Sequence, residues 1–130
     1  MNKQSHTVVK AEETDIAEIQ ALLNHYASMG DLLPRTKQDI INNLEHFRVI
    51  KRDQTVIACG SLENFTVELA EVRSLMVSPD IKGGGLGRKI VNCLIDMAKA
   101  RKVSRVMALT YVPEFFHKLE FITVNKDIFP

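Results

Sequence analysis

The residues best suited to chemistry lie in one glycine-rich segment. The segment reads Lys82-Gly83-Gly84-Gly85-Leu86-Gly87-Arg88-Lys89 and separates a strand-like stretch from a helix-like one. Glycine loses more backbone entropy on folding than any other residue, so this cluster is costly unless unusual dihedral angles or close approach require it. N–H groups that turn inward at the start of a helix can hold a phosphate, and Arg88 and Lys89 add positive charge. We therefore expect a phosphate-binding loop, with a plain connecting turn as the alternative.

Two common nucleotide-binding patterns do not fit the segment. In GxxxxGK followed by Ser or Thr, the second glycine falls on Arg88, and neither Ser nor Thr follows Lys89. In GxGxxG, the last glycine also falls on Arg88. The phosphate site, if formed, therefore belongs to another class of protein.

The elements around the segment alternate between strand-like and helix-like patterns. Thr14 and Thr36 are placed to cap helices, and Pro113 is tolerated in the first turn of another. The predicted order is β-α-α-β-β-β-α-β-α-β, with strands at 8–9, 47–51, 55–63, 68–77, 103–109 and 121–125. This order predicts an α/β (α+β) protein, a mixed sheet with helices on its faces.

Composition excludes several classes of protein. The chain has 130 residues, of which 45% are hydrophobic and 25% charged, which is typical of one globular domain. A net charge of +1 argues against a dedicated nucleic-acid binder. No apolar run approaches the roughly 20 residues that cross a bilayer, and residues 1–6 lack the apolar core of a signal peptide. We therefore expect a cytoplasmic protein with neither nucleic acid nor membrane as a partner.

The cysteines and histidines form no metal-binding or nucleophile pattern. Cys59 and Cys93 lie in apolar neighbourhoods, which predicts free thiols in a reducing compartment. The four histidines are scattered, and none stands at ligand spacing from another His, Cys or acid. We expect neither a metal site nor a cysteine nucleophile.

The glycine segment and a later motif together resemble the GNAT superfamily of N-acetyltransferases. Its motif A reads Gln or Arg, two variable residues, Gly, one variable residue, then Gly or Ala; residues 82–87 match both glycine positions, with Lys82 in first place. Residues 115–121 resemble a second motif, in which Phe116 replaces the usual Tyr and Glu120 the usual Gly. The resemblance covers nearly the whole chain, in the same order of elements.

Three further segments resemble the N-acetylglutamate synthase (amino-acid N-acetyltransferase) branch: LLPR at 32–35, AEVRSL at 70–75 and ALTYVPEFF at 108–116. The resemblance implies transfer of an acetyl group from acetyl-CoA to the amine of a small amino acid, first of all L-glutamate, in arginine biosynthesis. It implies one transferase domain over residues 1–130, without the amino-acid-kinase domain of some members and with a C-terminal end shorter than the family's. The oligomeric state stays open, a homodimer being one alternative.

The resemblance also implies where acetyl-CoA would bind. The sheet would be mainly antiparallel and splayed between its fourth and fifth strands, with the pantetheine arm in the gap. Backbone groups of Leu75, Met76 and Val77 would line that arm, and the Leu75 N–H would polarise the thioester carbonyl. The pyrophosphate would lie on Lys82, Gly83, Gly84, Gly85, Leu86, Gly87, Arg88 and Lys89.

Glu71 matches the position of the general-base glutamate of several GNAT members. It precedes Leu75 by four residues, about 13 Å along a strand that rises ~3.3 Å per residue. It would therefore act through water, or across a bulge that shortens the path. The non-catalytic alternative is a solvated carboxylate paired with Arg73.

Tyr111 or Thr110 would give a proton to the departing thiolate, because the usual tyrosine is Phe116 here. Tyr111 could instead be an aromatic side chain that closes the sheet edge. Arg35 and Arg73 could bind substrate carboxylates, since a guanidinium offers a two-pronged fork. Two arginines suit a dicarboxylate such as glutamate, and plain surface solvation is the alternative.

Two other functions fit the same residues. The acceptor could be another amino acid, a polyamine or a protein amine. Alternatively, the replaced residues at Phe116 and Glu120 favour a CoA-binding regulatory module without catalysis.

Overall fold

A five-stranded sheet with helices on both faces forms the core of the computed structural model, which describes residues 6–81, 83–110 and 112–124. The strands lie side by side in chain order; β1 to β4 are antiparallel, and β5 is parallel to β4. The predicted mixed, mainly antiparallel sheet is confirmed. The elements are β1 (Val8–Lys10), α1 (Ile16–Ser28), α2 (Lys37–Asn42), β2 (Phe47–Arg52), β3 (Thr55–Asn64), β4 (Leu69–Val77), α3 (Leu86–Ala100), β5 (Arg105–Ala108) and α4 (Pro113–His117).

Only one of the two predicted threonine caps forms. Thr36 Oγ accepts a hydrogen bond from the Asp39 N–H at 3.0 Å and starts α2. The cap at Thr14 is wrong, because a short 3-10 turn, Glu13–Asp15, precedes α1. Glu12 caps that turn instead, and its N–H donates to Asp15 Oδ2 at 2.8 Å.

Each face of the sheet has its own hydrophobic core. On one face, Leu86, Ile90 and Leu94 of α3 are fully buried against β3 and β4. On the other face, α1 and α2 cover the strands with Ile19, Leu23 and Ile40. Among the described helices, none is long and apolar enough to cross a membrane.

A glycine in β3 lets α3 approach the sheet closely. A Cβ atom on Gly60 would lie 2.7 Å from Ile90 Cγ2, closer than packed carbon atoms come. Opposite Gly60, β4 contains a bulge: Cys59 pairs with Met76 and Ser61 with Arg73, so one residue of β3 faces two of β4.

β4 and β5 part halfway along β4. Their pairing runs from Leu69 and Arg105 to Val72 and Ala108, where β5 ends, while β4 continues to Val77. The outer edge of residues 73–77 therefore has no strand partner within the described residues. This is the splayed arrangement that the sequence resemblance implied.

The predicted last strand is wrong over residues 121–124, which are not part of the sheet, and Asn125 lies outside the described residues. Ile122 is 80% exposed, and an open groove of about 860 Å³ runs from β5 to Val124 beside α4. A strand needs a partner for its backbone groups, and 121–124 have no ladder with β5 here.

Candidate active site

The glycine loop leads directly into α3, as predicted. Gly83, Gly84 and Gly85 have φ angles of 74°, 80° and 66°, and a Cβ atom on any of them would meet nothing within 4 Å. At the start of α3, the Lys89 N–H donates to Gly85 O at 3.0 Å. The amides before it have no acceptor within the helix. The loop thus presents free space and N–H groups at the positive end of a 15-residue helix.

The charge at this helix end is also favourable for an anion. No acidic side chain occupies the first turn of α3, where Arg88 and Lys89 are exposed. Lys82 lies outside the described residues. Gly87 faces Phe115 of α4, whose ring carbon would be 3.2 Å from a Cβ atom there.

The end of β4 is held by α1 on one face of the sheet and by β3 along its inner edge. The Tyr26 hydroxyl donates to the Val77 carbonyl, and the Ser78 N–H donates to Ile57 O at 2.8 Å. Burial, with the charge of Asp31, raises the pKa of Tyr26, so its hydroxyl keeps its proton at neutral pH. The backbone of Leu75, Met76 and Val77, which precedes the glycine loop, is therefore held in place at its end.

Arg35 is enclosed by protein groups. Its side chain is only 2% exposed, and its guanidinium carbon lies 5.5 Å from the centre of the Phe47 ring. Its Nε donates to Asp39 Oδ2 at 2.7 Å, and its Nη1 and Nη2 form a fork with Glu63 at 2.8 and 3.1 Å. Nη1 also donates to Ser74 Oγ at 3.0 Å. Four hydrogen bonds thus engage the guanidinium, which has five N–H groups.

Glu63 is the centre of this polar cluster. Besides Arg35, it accepts hydrogen bonds from the Ser61 hydroxyl and from Arg73 Nη1, the latter at 3.0 Å. Burial alone would raise the pKa of Glu63, but the hydrogen bonds from Arg35 and Ser61 outweigh it and hold the pKa below its usual value. Glu63 is therefore a firmly ionised carboxylate.

Glu71 on β4 pairs directly with Glu63 on β3, and its pKa is shifted in the opposite direction. Burial raises the pKa of Glu71, the charge of Arg73 opposes that effect, and the charge of Glu63 adds to it. Arg73 Nε is 3.9 Å from Glu71 Oε1, too far for a hydrogen bond. A half-buried carboxylate with a raised pKa is well suited to accept a proton near neutral pH.

The proton-donor candidates stand at the end of β5. Thr110 is exposed, and its hydroxyl accepts a hydrogen bond from the Val112 N–H at 2.9 Å. Tyr111 lies outside the described residues. Phe116 is 6% exposed within the α3 core, and Glu120 has a φ of 70°, which explains why the related motif has glycine there.

The sequence reasoning missed Glu63, Asp39, Ser74 and Tyr26. The hairpin register would have indicated Glu63, because a turn at 65–68 places it opposite Glu71. The hydrogen bonds of Arg35 could not be predicted in this way, since they join it to three separate elements. No group of three or more His, Cys, Asp and Glu residues within the described part of the chain could hold a metal ion.

Residues 14–121 match the sequence profile of the acetyltransferase (GNAT) family. The chain belongs to this family. The GNAT chain is 31% identical over 123 residues to an uncharacterized N-acetyltransferase of Chlorobaculum tepidum, covering 95% of this chain and 79% of that protein. It is 30% identical over 126 residues to an amino-acid acetyltransferase of Neisseria meningitidis, covering 95% of this chain and 29% of that protein.

The fold of this GNAT chain also matches a solved structure. N-acetylglutamate synthase from Neisseria gonorrhoeae, complexed with coenzyme A and N-acetyl-glutamate, superposes with a TM-score of 0.92 at 28% identity. The match covers 99% of this chain and 31% of that protein. The resemblance inferred from the motifs is confirmed, although the GNAT chain spans less than a third of this synthase and of the meningococcal relative.

The facing carboxylates predict opposite effects on stability. The lowered pKa of Glu63 means that its ionised form stabilises the fold above its usual pKa, and that this contribution is lost as the pH falls through its folded pKa. The raised pKa of Glu71 means the reverse: its contribution is present below the usual pKa and is lost as the pH rises through the folded pKa. Glu63→Gln should therefore lower, and Glu71→Gln maintain or raise, the free energy of unfolding at neutral pH.

Urea unfolding at about pH 7 and about pH 4 measures both effects. Each variant serves as the control for the other, because both exchange a carboxylate for an amide on facing strands. The difference between them should shrink in acid. A shift of both variants in the same direction at neutral pH would contradict the assignment.

Proposed function

We propose that this protein transfers the acetyl group of acetyl-CoA to the amine of a small amino acid, with L-glutamate as the first candidate. The observation that carries the proposal is the parting of β4 from β5 beside the glycine loop. Family membership supports it, as do the meningococcal relative, named an amino-acid acetyltransferase, and the gonococcal synthase structure with bound coenzyme A.

Acetyl-CoA would supply a thioester next to the outer edge of residues 73–77 of β4. The loop and first turn of α3, with Arg88 and Lys89 and with Lys82 before them, would hold its pyrophosphate. The backbone of Leu75, Met76 and Val77 would lie along the pantetheine arm. The open space at Gly83, Gly84 and Gly85, together with the positive helix end, supports this placement.

Glu71 would take a proton from the acceptor ammonium, directly or through water. The free amine then attacks the thioester carbonyl carbon and the C–N bond forms. As the C–S bond breaks, the attacking nitrogen loses its second proton to water. Leu75 N–H would donate to the carbonyl oxygen as it gains negative charge. Thr110 or Tyr111 would return a proton to the departing thiolate.

Arg35 and Arg73 are the proposed site for the carboxylates of the acceptor. Their surroundings differ, so they are not equally able to contact a ligand. Arg73 has a side chain that is 35% exposed and is within reach of a ligand beside Glu71. Arg35 would have to leave Glu63 or Asp39 to contact a carboxylate with more than its remaining N–H. We therefore assign the direct contact first to Arg73.

A CoA-binding module without catalysis is the alternative function. Phe116 supports it, since this side chain lies in the core and has no hydroxyl to protonate a thiolate. In either function we propose one acetyltransferase-family domain in the cytoplasm, where the thiols of Cys59 and Cys93 would stay free. Release of free thiol from acetyl-CoA across a panel of amines separates the two functions.

The glycine loop gives the first test. Gly85→Asp forces a residue with a side chain into a φ of 66° and adds a negative charge where the pyrophosphate would lie. CoA affinity, measured by calorimetry, should fall at least about tenfold, with the circular dichroism spectrum unchanged. Gly30→Asp, also at a positive φ but outside the loop, is the control. Equal CoA affinity in the two folded variants would exclude this loop as the site.

Glu71→Gln tests the general base. An amide cannot take the ammonium proton, so kcat at neutral pH should fall by roughly 10² to 10⁴, while the Kd for CoA stays unchanged. In the parent, kcat/KM should rise with pH as Glu71 ionises, with a midpoint above the usual glutamate pKa because burial raises it. If this rise remains in Glu71→Gln, another group is the base.

Arg73→Met tests the acceptor. Loss of a charged hydrogen bond costs about 1.5 to 3 kcal/mol, so KM for glutamate should rise roughly 10- to 100-fold, while KM for acetyl-CoA changes little. Arg73→Lys should restore only part of the affinity. Arg52→Met, at an exposed arginine that ends β2, is the control. If glutamate and glutamine are acetylated equally well, the dicarboxylate assignment is wrong and the acceptor is a different amine.

A further inference from the structure

Ser74 lies in the β4 bulge and has an unusual backbone conformation. Its φ is 53°, in the left-handed region that a residue with a side chain adopts only where its surroundings hold it. It is 7% exposed, and neither it nor Leu75 has a pair in the β3–β4 ladder. The conformation of Ser74 therefore depends on contacts outside that ladder.

Two such contacts hold Ser74. Arg35 Nη1 donates to the Ser74 hydroxyl at 3.0 Å, and Arg35 is in turn fixed by its fork with Glu63. The Cys59 thiol donates to the Ser74 carbonyl oxygen at an S–O distance of 3.6 Å. Complete burial raises the pKa of Cys59 to about 12, so the thiol keeps the proton that it donates.

The second contact determines where the next amide points. The Ser74 carbonyl and the Leu75 N–H belong to one planar trans peptide, in which C=O and N–H point in opposite directions. Since the carbonyl points to Cys59 on the face covered by α1 and α2, the Leu75 N–H points away from that face. The side chain of Leu75 likewise packs with the α3 core on the opposite face.

We propose that Arg35 and Cys59 are positioning residues that fix the Ser74–Leu75 peptide, one through the serine hydroxyl and the other through its carbonyl, so that the Leu75 N–H is held ready for the thioester oxygen. This inference rests on the proposed function for the role of the amide. It gives Arg35 a task that needs no contact with substrate and assigns a purpose to a buried cysteine that does not react.

The test uses two single-atom-scale changes in the full chain. Ser74→Ala removes the hydroxyl, and Cys59→Ala removes the thiol. The matched controls are Ser104→Ala, whose hydroxyl donates to Glu68 O in the β3–β4 connection, and Cys93→Ala on α3. Variants of Arg35 are less suitable as the first test, because removing its charge takes an ion pair from both Glu63 and Asp39 and can prevent folding.

The first measurement needs no activity. In ¹⁵N-labelled protein without ligand, the Leu75 amide resonance should move in Cys59→Ala, which is remote in sequence, as well as in Ser74→Ala, but not in the controls. CoA affinity at the glycine loop should stay within about twofold. An unchanged Leu75 amide in both variants overturns the proposal.

The second measurement separates positioning from substrate contact. With an accepted amine, misplacement of the amide should lower kcat about tenfold to a hundredfold, with KM for the amine within about twofold. A raised KM at unchanged kcat in Ser74→Ala overturns the proposal and favours contact between this cluster and the acceptor. If no amine is acetylated, the proposed function fails, and the Leu75 resonance alone decides whether Arg35 and Cys59 fix the peptide.

Discussion

The bulge in β4 decides which groups of this strand meet on each side of the sheet. Before the bulge, Arg73 extends toward the α1 and α2 face, where it reaches Glu63; after it, Met76 lies on that face. Without the extra residue, simple alternation would place Leu75 and Val77 there as well. Instead, both pack with the α3 core. A polar cluster and the backbone that leads into the glycine loop can therefore share one strand.

In the polar cluster, two carboxylates compete for ion pairs with the same arginines. Like charges on facing strands repel, and Glu63 and Glu71 are such a pair. Arg73 is 3.0 Å from Glu63 but 3.9 Å from Glu71, and Arg35 forms its fork with Glu63 alone. Glu63 therefore receives most of the stabilisation and keeps a low pKa, whereas Glu71 keeps a raised one. A closer contact between Arg73 and Glu71 would lower the pKa of Glu71.

The sequence predicted several elements that depend only on residues close together in the chain. The glycine loop, the Thr36 cap and the hairpin of β2 and β3 follow from short-range geometry, and all three are present. The burial of Arg35 could not be predicted, because its partners Asp39, Glu63 and Ser74 come together only after α2 packs on the sheet. The predicted strand at 121–124 failed for a similar reason, since apolar residues form a strand only where a neighbouring edge accepts their hydrogen bonds.

Several features of the site reduce the stability of the fold. They lie beside closely packed parts of the sheet, which increase it. The left-handed Ser74, the raised pKa of Glu71 and the backbone entropy that the loop glycines lose on folding each cost stability. Gly60 faces the bulge across the strands, and its missing side chain lets Ile90 of α3 pack directly on the sheet there. Tyr26 holds the other side of the same stretch through Val77. Close packing on both faces thus stabilises a strand segment whose ladder with β3 is interrupted by the bulge and whose outer edge has no strand partner within the described residues.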